Sequence, residues 1–263
     1  MFPNSKVIKI NAASALKGNW ATVVSAVMIW VLFVIFLIVT GVLICSFVES
    51  NIITTTIIVL LCLTAFLVGV PLSFGVLKFI WHIVDSGQGK IDDVFFYLST
   101  RKMYFRAFNL TLQLLSKLLT NGSILIVPSI IIEYIANGGF KSLFSSIPLW
   151  LTYFWIIAMF LRVLGIMVTV IFTAKYYLAP FIFIINDEIE PLQAMHLSKK
   201  AARVSIWNFI SLIITLMGWL IASLLGVTLF FTVPYLLTCY VIHSRFAVYY
   251  YNEWVKNVPN SSL

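Results

Sequence analysis

The sequence predicts an all-α fold, a polytopic membrane helix bundle with about six transmembrane helices and short cytoplasmic interfacial helices, in a single integral membrane domain over 1–263. Three observations predict it. Hydrophobic residues make up 62% of the chain and charged residues only 10%, whereas a water-soluble domain carries about 25% charged residues. The apolar residues run in unbroken blocks of about 20 or more, the length that crosses a hydrocarbon core, instead of marking one face of each helix. Lysines and arginines gather on alternate connections, as cytoplasmic loops do.

Residues 5–17 place Val7, Ile10 and Ala13 at helical spacing with Lys6, Lys9 and Lys17 in reach of headgroups, the pattern of an interfacial helix that Gly18 and Asn19 end. Trp20 marks an aromatic interface before the first span, 21–48, which is too long for a signal h-region and precedes no small-residue cleavage site. A turn at Glu49 to Asn51 leads to the second span, 52–77, where Gly69, Pro71 and Gly75 favour a kink and close helix approach. Gly87 and Gly89 then form a loop, and Ile91, Val94, Phe95, Leu98 and Phe105 predict a second interfacial helix over 91–105.

The third span, 107–134, contains Lys117, Pro128 and Asn121-Gly122-Ser123, which reads as a helix break. A loop with Gly138, Gly139 and Lys141 leads to the fourth span, 149–173, with Arg162 near its middle. Ala179-Pro180 interrupts a further apolar piece ending at Ile185, after which Asn186 or Asp187 is placed to cap an interfacial helix over 187–203. That helix would begin with Glu188 and Glu190 and end with Lys199, Lys200 and Arg203, in keeping with its dipole. The remaining apolar stretch provides two crossings, 206–225 and 227–250, turned at Gly226. With this arrangement every lysine and arginine outside the spans except Lys141 falls on one side, which places both termini in the cytoplasm.

Three segments stand out together: Ala15-Leu16-Lys17-Gly18-Asn19-Trp20, the Tyr176 to Asp187 stretch YYLAPFIFIIND, and Gly218-Trp219 followed by Pro234-Tyr235. In that order, with Pro71 to Gly75 and Ala194 to Ser198, they resemble domain of unknown function 975, a bacterial integral membrane family. The resemblance covers most of the chain in outline. It departs at the fourth span, where the family's Pro-Gly-Ile is here only Gly165-Ile166, and nothing in it matches Leu110 to Ser146. Membership implies a multi-pass protein of the bacterial plasma (inner) membrane and carries no catalytic residues to transfer.

The formal charge of +8 does not point to nucleic acid, because the basic residues lie between apolar blocks instead of lining one soluble face. It points to a bilayer with anionic headgroups, contacted by Arg101, Lys102, Lys199, Lys200 and Arg203. Another membrane protein is the second class of partner. A membrane-buried Arg or Lys costs about 2.5 to 3.5 kcal/mol on insertion scales, so Arg162 and Lys117 are candidates for a polar cavity. The alternative is that Arg162 snorkels or pairs for assembly and that the third span starts late, so that Lys117 belongs to the interfacial helix preceding it; no acid is expected at Arg162's depth, since Glu133 belongs nearer the outer interface.

Asp92, Asp93, Asp187, Glu188 and Glu190 sit where helix caps do, and His82, His196 and His243 are far apart, so no metal or cofactor is expected. Cys45, Cys62 and Cys239 show no redox or metal spacing. With no nucleophile elbow, P-loop or dinucleotide fingerprint, the expectation is a non-enzymatic scaffold or accessory protein that engages lipids or a partner. The rival is a small transporter or channel that moves a lipid-like or anionic solute past Arg162, with Gly and Pro breaks as moving parts.

Overall fold

Lipid offers no hydrogen bonds, so a spanning segment must satisfy its backbone internally, and every regular element among the described residues of this computed structural model is helical. The described residues are 2–48, 51–134, 150–223 and 228–257. Glu49, the expected loop at Gly138, Gly139 and Lys141, and the expected turn at Gly226 lie outside them. The helices are α1 (Ser5–Leu16), α2 (Trp20–Phe47), α3 (Asn51–Ser86), α4 (Phe96–Ser99), α5 (Arg101–Tyr134), α6 (Trp150–Ala174), α7 (Ala179–Ile185), α8 (Pro191–Ser223) and α9 (Leu229–Asn257), with a 3-10 turn, Ile91–Phe95, before α4. They divide into two units, Met1–Thr111 with Leu178–Leu263 and, separately, Leu112–Tyr177.

In the first unit, α2 and α3 form an antiparallel hairpin, with Gly41 beside Leu61 and Gly69 beside Phe33. Helix α3 runs unbroken through Pro71 for 36 residues, about 54 Å at 1.5 Å per residue. That outruns a hydrocarbon core of about 30 Å, so its charged end reaches beyond the core. Helix α1 packs on α9: Phe2, just before α1, meets His243 and Tyr250, and Trp20, the first residue of α2, meets Phe231. Ile8 and Ala12 of α1 are buried with Leu212, Leu216, Cys239 and Ile242. Between α1 and α2, Gly18 takes φ +87°, a left-handed turn that a side chain would strain. Asn19 Nδ2 then donates to the Gly87 carbonyl at 3.2 Å, which ties this turn to the end of α3.

Two expectations change here. The interfacial helix over 91–105 is instead a 3-10 turn and a short α4, with residues from Arg101 onward already in α5. The turn is pressed onto α3, where a Cβ on Gly75 would run into the Val94 carbonyl, and that contact forces the chain to bend. The helix over 187–203 and the span from 206 are one helix, α8, without acidic residues in its first turn. Over its first half the buried face is mostly small, Ala194, Ser198, Ala201, Ala202 and Ser205, and lets α7 pack closely.

The second unit contains the distal part of α5 and α6, antiparallel: Gly122 faces Thr169, and Gly165 faces Leu125 and Ile126. Asn121-Gly122-Ser123 does not break α5, which is continuous through it and through Pro128. Gly122 is instead the notch in which α6 seats. Among the described residues five stretches are long and apolar enough to cross a membrane: Trp20–Phe47, Ile52–Ser86, Arg101–Tyr134, Tyr153–Ile185 and Pro191–Ser223. The expected sixth span is the helix α9, which Pro234, His243 and Arg245 make less apolar.

Gly75 and Gly218 offer a matched test, because nothing lies within 4 Å of a Cβ on Gly218. Gly75→Ala is expected to destabilise by about 1–3 kcal/mol through overpacking against backbone, and Gly218→Ala to be neutral or stabilising, read as thermal unfolding in detergent.

Candidate functional site

The charged end of α3 is where side chains from distant parts of the chain converge. Lys78, one turn after Gly75, is 5% exposed. Its Nζ donates to both carboxylate oxygens of Asp187 at 2.8 Å and stands 3.4 Å from the centre of the Phe96 ring. Arg106, from the second turn of α5, donates to the Asp187 carbonyl and, at 2.6 Å, to the Ile189 carbonyl. Its guanidinium lies 5.2 Å from the Phe183 ring of α7. Two cations therefore grip the 187–189 loop, one by its side chain and one by its backbone. Asn186 turns that loop by accepting from the Glu188 N–H at 3.0 Å.

Tyr97 closes the cluster. It is fully buried and stacks on Phe183 at 5.7 Å. Burial pushes its phenol above the usual tyrosine range, Asp187 adds to the rise and Arg106 opposes it. The raised group favours the folded state below an unfolded tyrosine's pKa of about 10, and that contribution fades only as pH climbs past it. Two further pairs flank the cluster. His82 Nδ1 lies 2.7 Å from Asp93 Oδ2, which also accepts the Lys90 N–H at 3.2 Å. Arg245 of α9 reaches Asp85 at 3.2 Å while lying 5.4 Å from the Trp81 ring.

The expected site residues are placed differently. Arg162 is paired with Glu133, contrary to the expectation that no acid shares its depth; the antiparallel seating of α6 on α5 brings them level. Lys117 is exposed on α5, and the 16 positions between it and Glu133 span about 24 Å, so Lys117 and Arg162 do not share a cavity. Arg101 and Lys102 are exposed at the start of α5, and Lys199, Lys200 and Arg203 along α8. None of these five forms an ion pair among the described residues. Among the described residues no three His, Cys, Asp or Glu side chains group as a metal set. Sequence reasoning missed Lys78 and Arg106; the signal was a single acid, Asp187, ending an otherwise apolar motif.

The fold and this cluster define an all-α polytopic membrane helix bundle in which a buried lysine is paired with a partly exposed aspartate. More particularly, a family described as "Protein of unknown function (DUF975)" matches residues 1–250, and the chain belongs to that family. No curated protein and no solved structure matches it. The family segments noted in the sequence meet one another at two places, Ser198 Oγ accepting from the Leu178 N–H at 3.2 Å and Trp219 against Tyr235 at 5.5 Å, and meet residues outside the segments at two more, Gly75 under Val94 and Asp187 on Lys78.

Lys78 is buried but the Asp187 side chain is 42% exposed, so losing either partner is expected to cost less than the about 3–5 kcal/mol of a fully buried pair, with loss of Asp187 the more damaging because it leaves the Lys78 charge buried alone. Replacing both by apolar groups is often neutral. Lys78→Met and Asp187→Leu are each expected to lower the folded fraction in fluorescence-detected size-exclusion chromatography, and the double variant to recover most of it. A double variant as poor as either single one would show that the pair is not what holds the loop.

Proposed function

We propose that this chain is a non-enzymatic, multi-pass protein of a bacterial plasma membrane, a scaffold or accessory protein without a cofactor. Its basic cytoplasmic face, with both termini on that side, engages anionic lipid headgroups and presents the bundle to another membrane protein. The observation that carries the reading is the division of the cations. Lys78, Arg162 and Arg245 are paired with acids, and Arg106 is spent on backbone carbonyls. Lys199 and Arg203 are exposed and have no acid partner among the described residues, in register with Trp207 at i, i+4 and i+8 on α8.

Trp207 is 78% exposed and suits the aromatic belt at the membrane interface. Lys199 lies about 12 Å further along the axis, within the headgroup layer. Arg101, stacked over Phe105 at 5.7 Å, repeats the arrangement on α5. Each such cation contributes about 1 kcal/mol of attraction to an anionic surface, screened within about 3 Å in 1 M salt.

The test is the boundary lipid. In vesicles of mixed anionic and choline lipids, spin-labelled phosphatidylglycerol is expected to exceed spin-labelled phosphatidylcholine in the immobilised shell, with the excess shrinking at high salt. K199Q/K200Q/R203Q is expected to lose most of it. Equal immobilisation of both labels at low salt would sink the lipid reading.

The transport reading rests on the ion pair at membrane depth, since intramembrane charges commonly mark solute paths. The pairing of Arg162 with Glu133 supports assembly instead. An Arg162→Leu, Glu133→Leu double variant is expected to fold better than either single one and to leave vesicle ion and anion fluxes unchanged. A flux present in the parent and abolished in the double variant would favour the transporter.

A further inference from the structure

We infer that a crevice bounded by α1, the end of α3 and α9 binds one phospholipid whose headgroup carries both a phosphate and a primary amine. The crevice, of about 580 Å³, is lined among others by Asn11, Ser14, Val84, Arg245, Phe246 and Tyr249. That volume lies within the about 300–1,000 Å³ usual for small-molecule sites.

Its position indicates a lipid. Trp81 ends the apolar run of α3, and Val84 and Asp85 lie one turn beyond it, past the aromatic interface where headgroups begin. The run Tyr249-Tyr250-Tyr251 on α9 marks the same level. The wall of Val84, Ile242 and Phe246 is apolar, suited to the glycerol and first methylenes below a headgroup.

Its chemistry indicates a zwitterion. Asn11, Ser14 and Tyr249 line the crevice, and their side-chain amide and hydroxyls hold no hydrogen bond among the described residues. Arg245 is held in place by three contacts: Asp85 at 3.2 Å, the Val84 carbonyl at 3.4 Å and the Trp81 ring at 5.4 Å. A guanidinium has five N–H donors in a planar fork that fits phosphate, and these contacts leave some of them unused. A free anion at this fork would be repelled by Asp85. A headgroup with phosphate on Arg245 and an ammonium on Asp85 instead completes both charges, and phosphatidylethanolamine has that form. Phosphatidylcholine lacks the N–H groups that Asp85 would accept, and phosphatidylglycerol lacks the cation.

This site rests on the membrane reading but not on the basic stripe of α8, and the two fail separately. The full chain, purified in mild detergent and stripped of loose lipid, is titrated with phosphatidylethanolamine, phosphatidylcholine, phosphatidylglycerol and, separately, inorganic phosphate, with retained adducts counted by native mass spectrometry. One retained phosphatidylethanolamine per chain is expected, preferred about tenfold over the other two lipids, as one charge-assisted hydrogen bond provides. Asp85→Asn should erase the preference. Ser14→Trp, which fills the crevice from an exposed position, should abolish retention, and the milder Tyr249→Phe should weaken it severalfold. K199Q/K200Q/R203Q should leave it unchanged. Equal retention of all three lipids, retention in Ser14→Trp, or displacement of the lipid by inorganic phosphate would each overturn the inference.

Discussion

A lysine ammonium that is almost fully buried sets the terms for the first unit. Taking an ion out of water costs several kcal/mol after relaxation, and Lys78 can sit under Phe96 and Tyr97 only because both oxygens of Asp187 meet it at 2.8 Å. That requirement reaches outward. Asp187 must be held at the end of α7, so the 187–189 loop has one path, and Arg106 fixes that path by binding its carbonyls. The loop leads directly into Pro191, so the pair also sets where α8 starts.

Close backbone approach does the rest of the positioning. Inside a bilayer, apolar side chains gain little by leaving lipid for protein, and association depends on van der Waals contact. The bundle accordingly removes side chains where helices meet: Gly75 under the Val94 carbonyl, Gly41 against Leu61, and the small stripe of α8 beneath α7. The family segments supply one side of some of these contacts, Gly75 at its seat, Asp187 in its ion pair and Ala194 to Ser198 beneath α7, so part of what they encode is contact between parts of the chain far apart in sequence. Gly18 and Asn19 illustrate it, one making the turn out of α1 and the other bonding to Gly87.

How far the sequence could be read follows from range. Spans are written locally, in the length of apolar runs, and their approximate positions were accessible without coordinates. Helix continuity was not, because polar residues on one face of α8 look like an ending unless the small buried face, Ala194 to Ser205, is known to carry on. The same holds for Gly122, which reads as a break in isolation and as a notch once Thr169 is placed beside it. Charge pairs were least legible. Lys78 and Asp187 are 109 positions apart, and Arg162 meets Glu133 only through the antiparallel register of two helices. The exposed basic residues could be named from sequence, but the feature that distinguishes them, having no acid of their own, depends on where every other acid goes.

Those assignments have an electrostatic consequence. The formal charge of +8 is not spread evenly: Asp85, Glu133 and Asp187 are committed to Arg245, Arg162 and Lys78, and Asp93 meets the His82 ring. Exposed cations without an acid partner among the described residues include those at the start of α5 and in the first half of α8, near Phe105 and Trp207. Committing these acids to partners within the fold is what leaves exposed cations of α5 and α8 without an acid partner among the described residues.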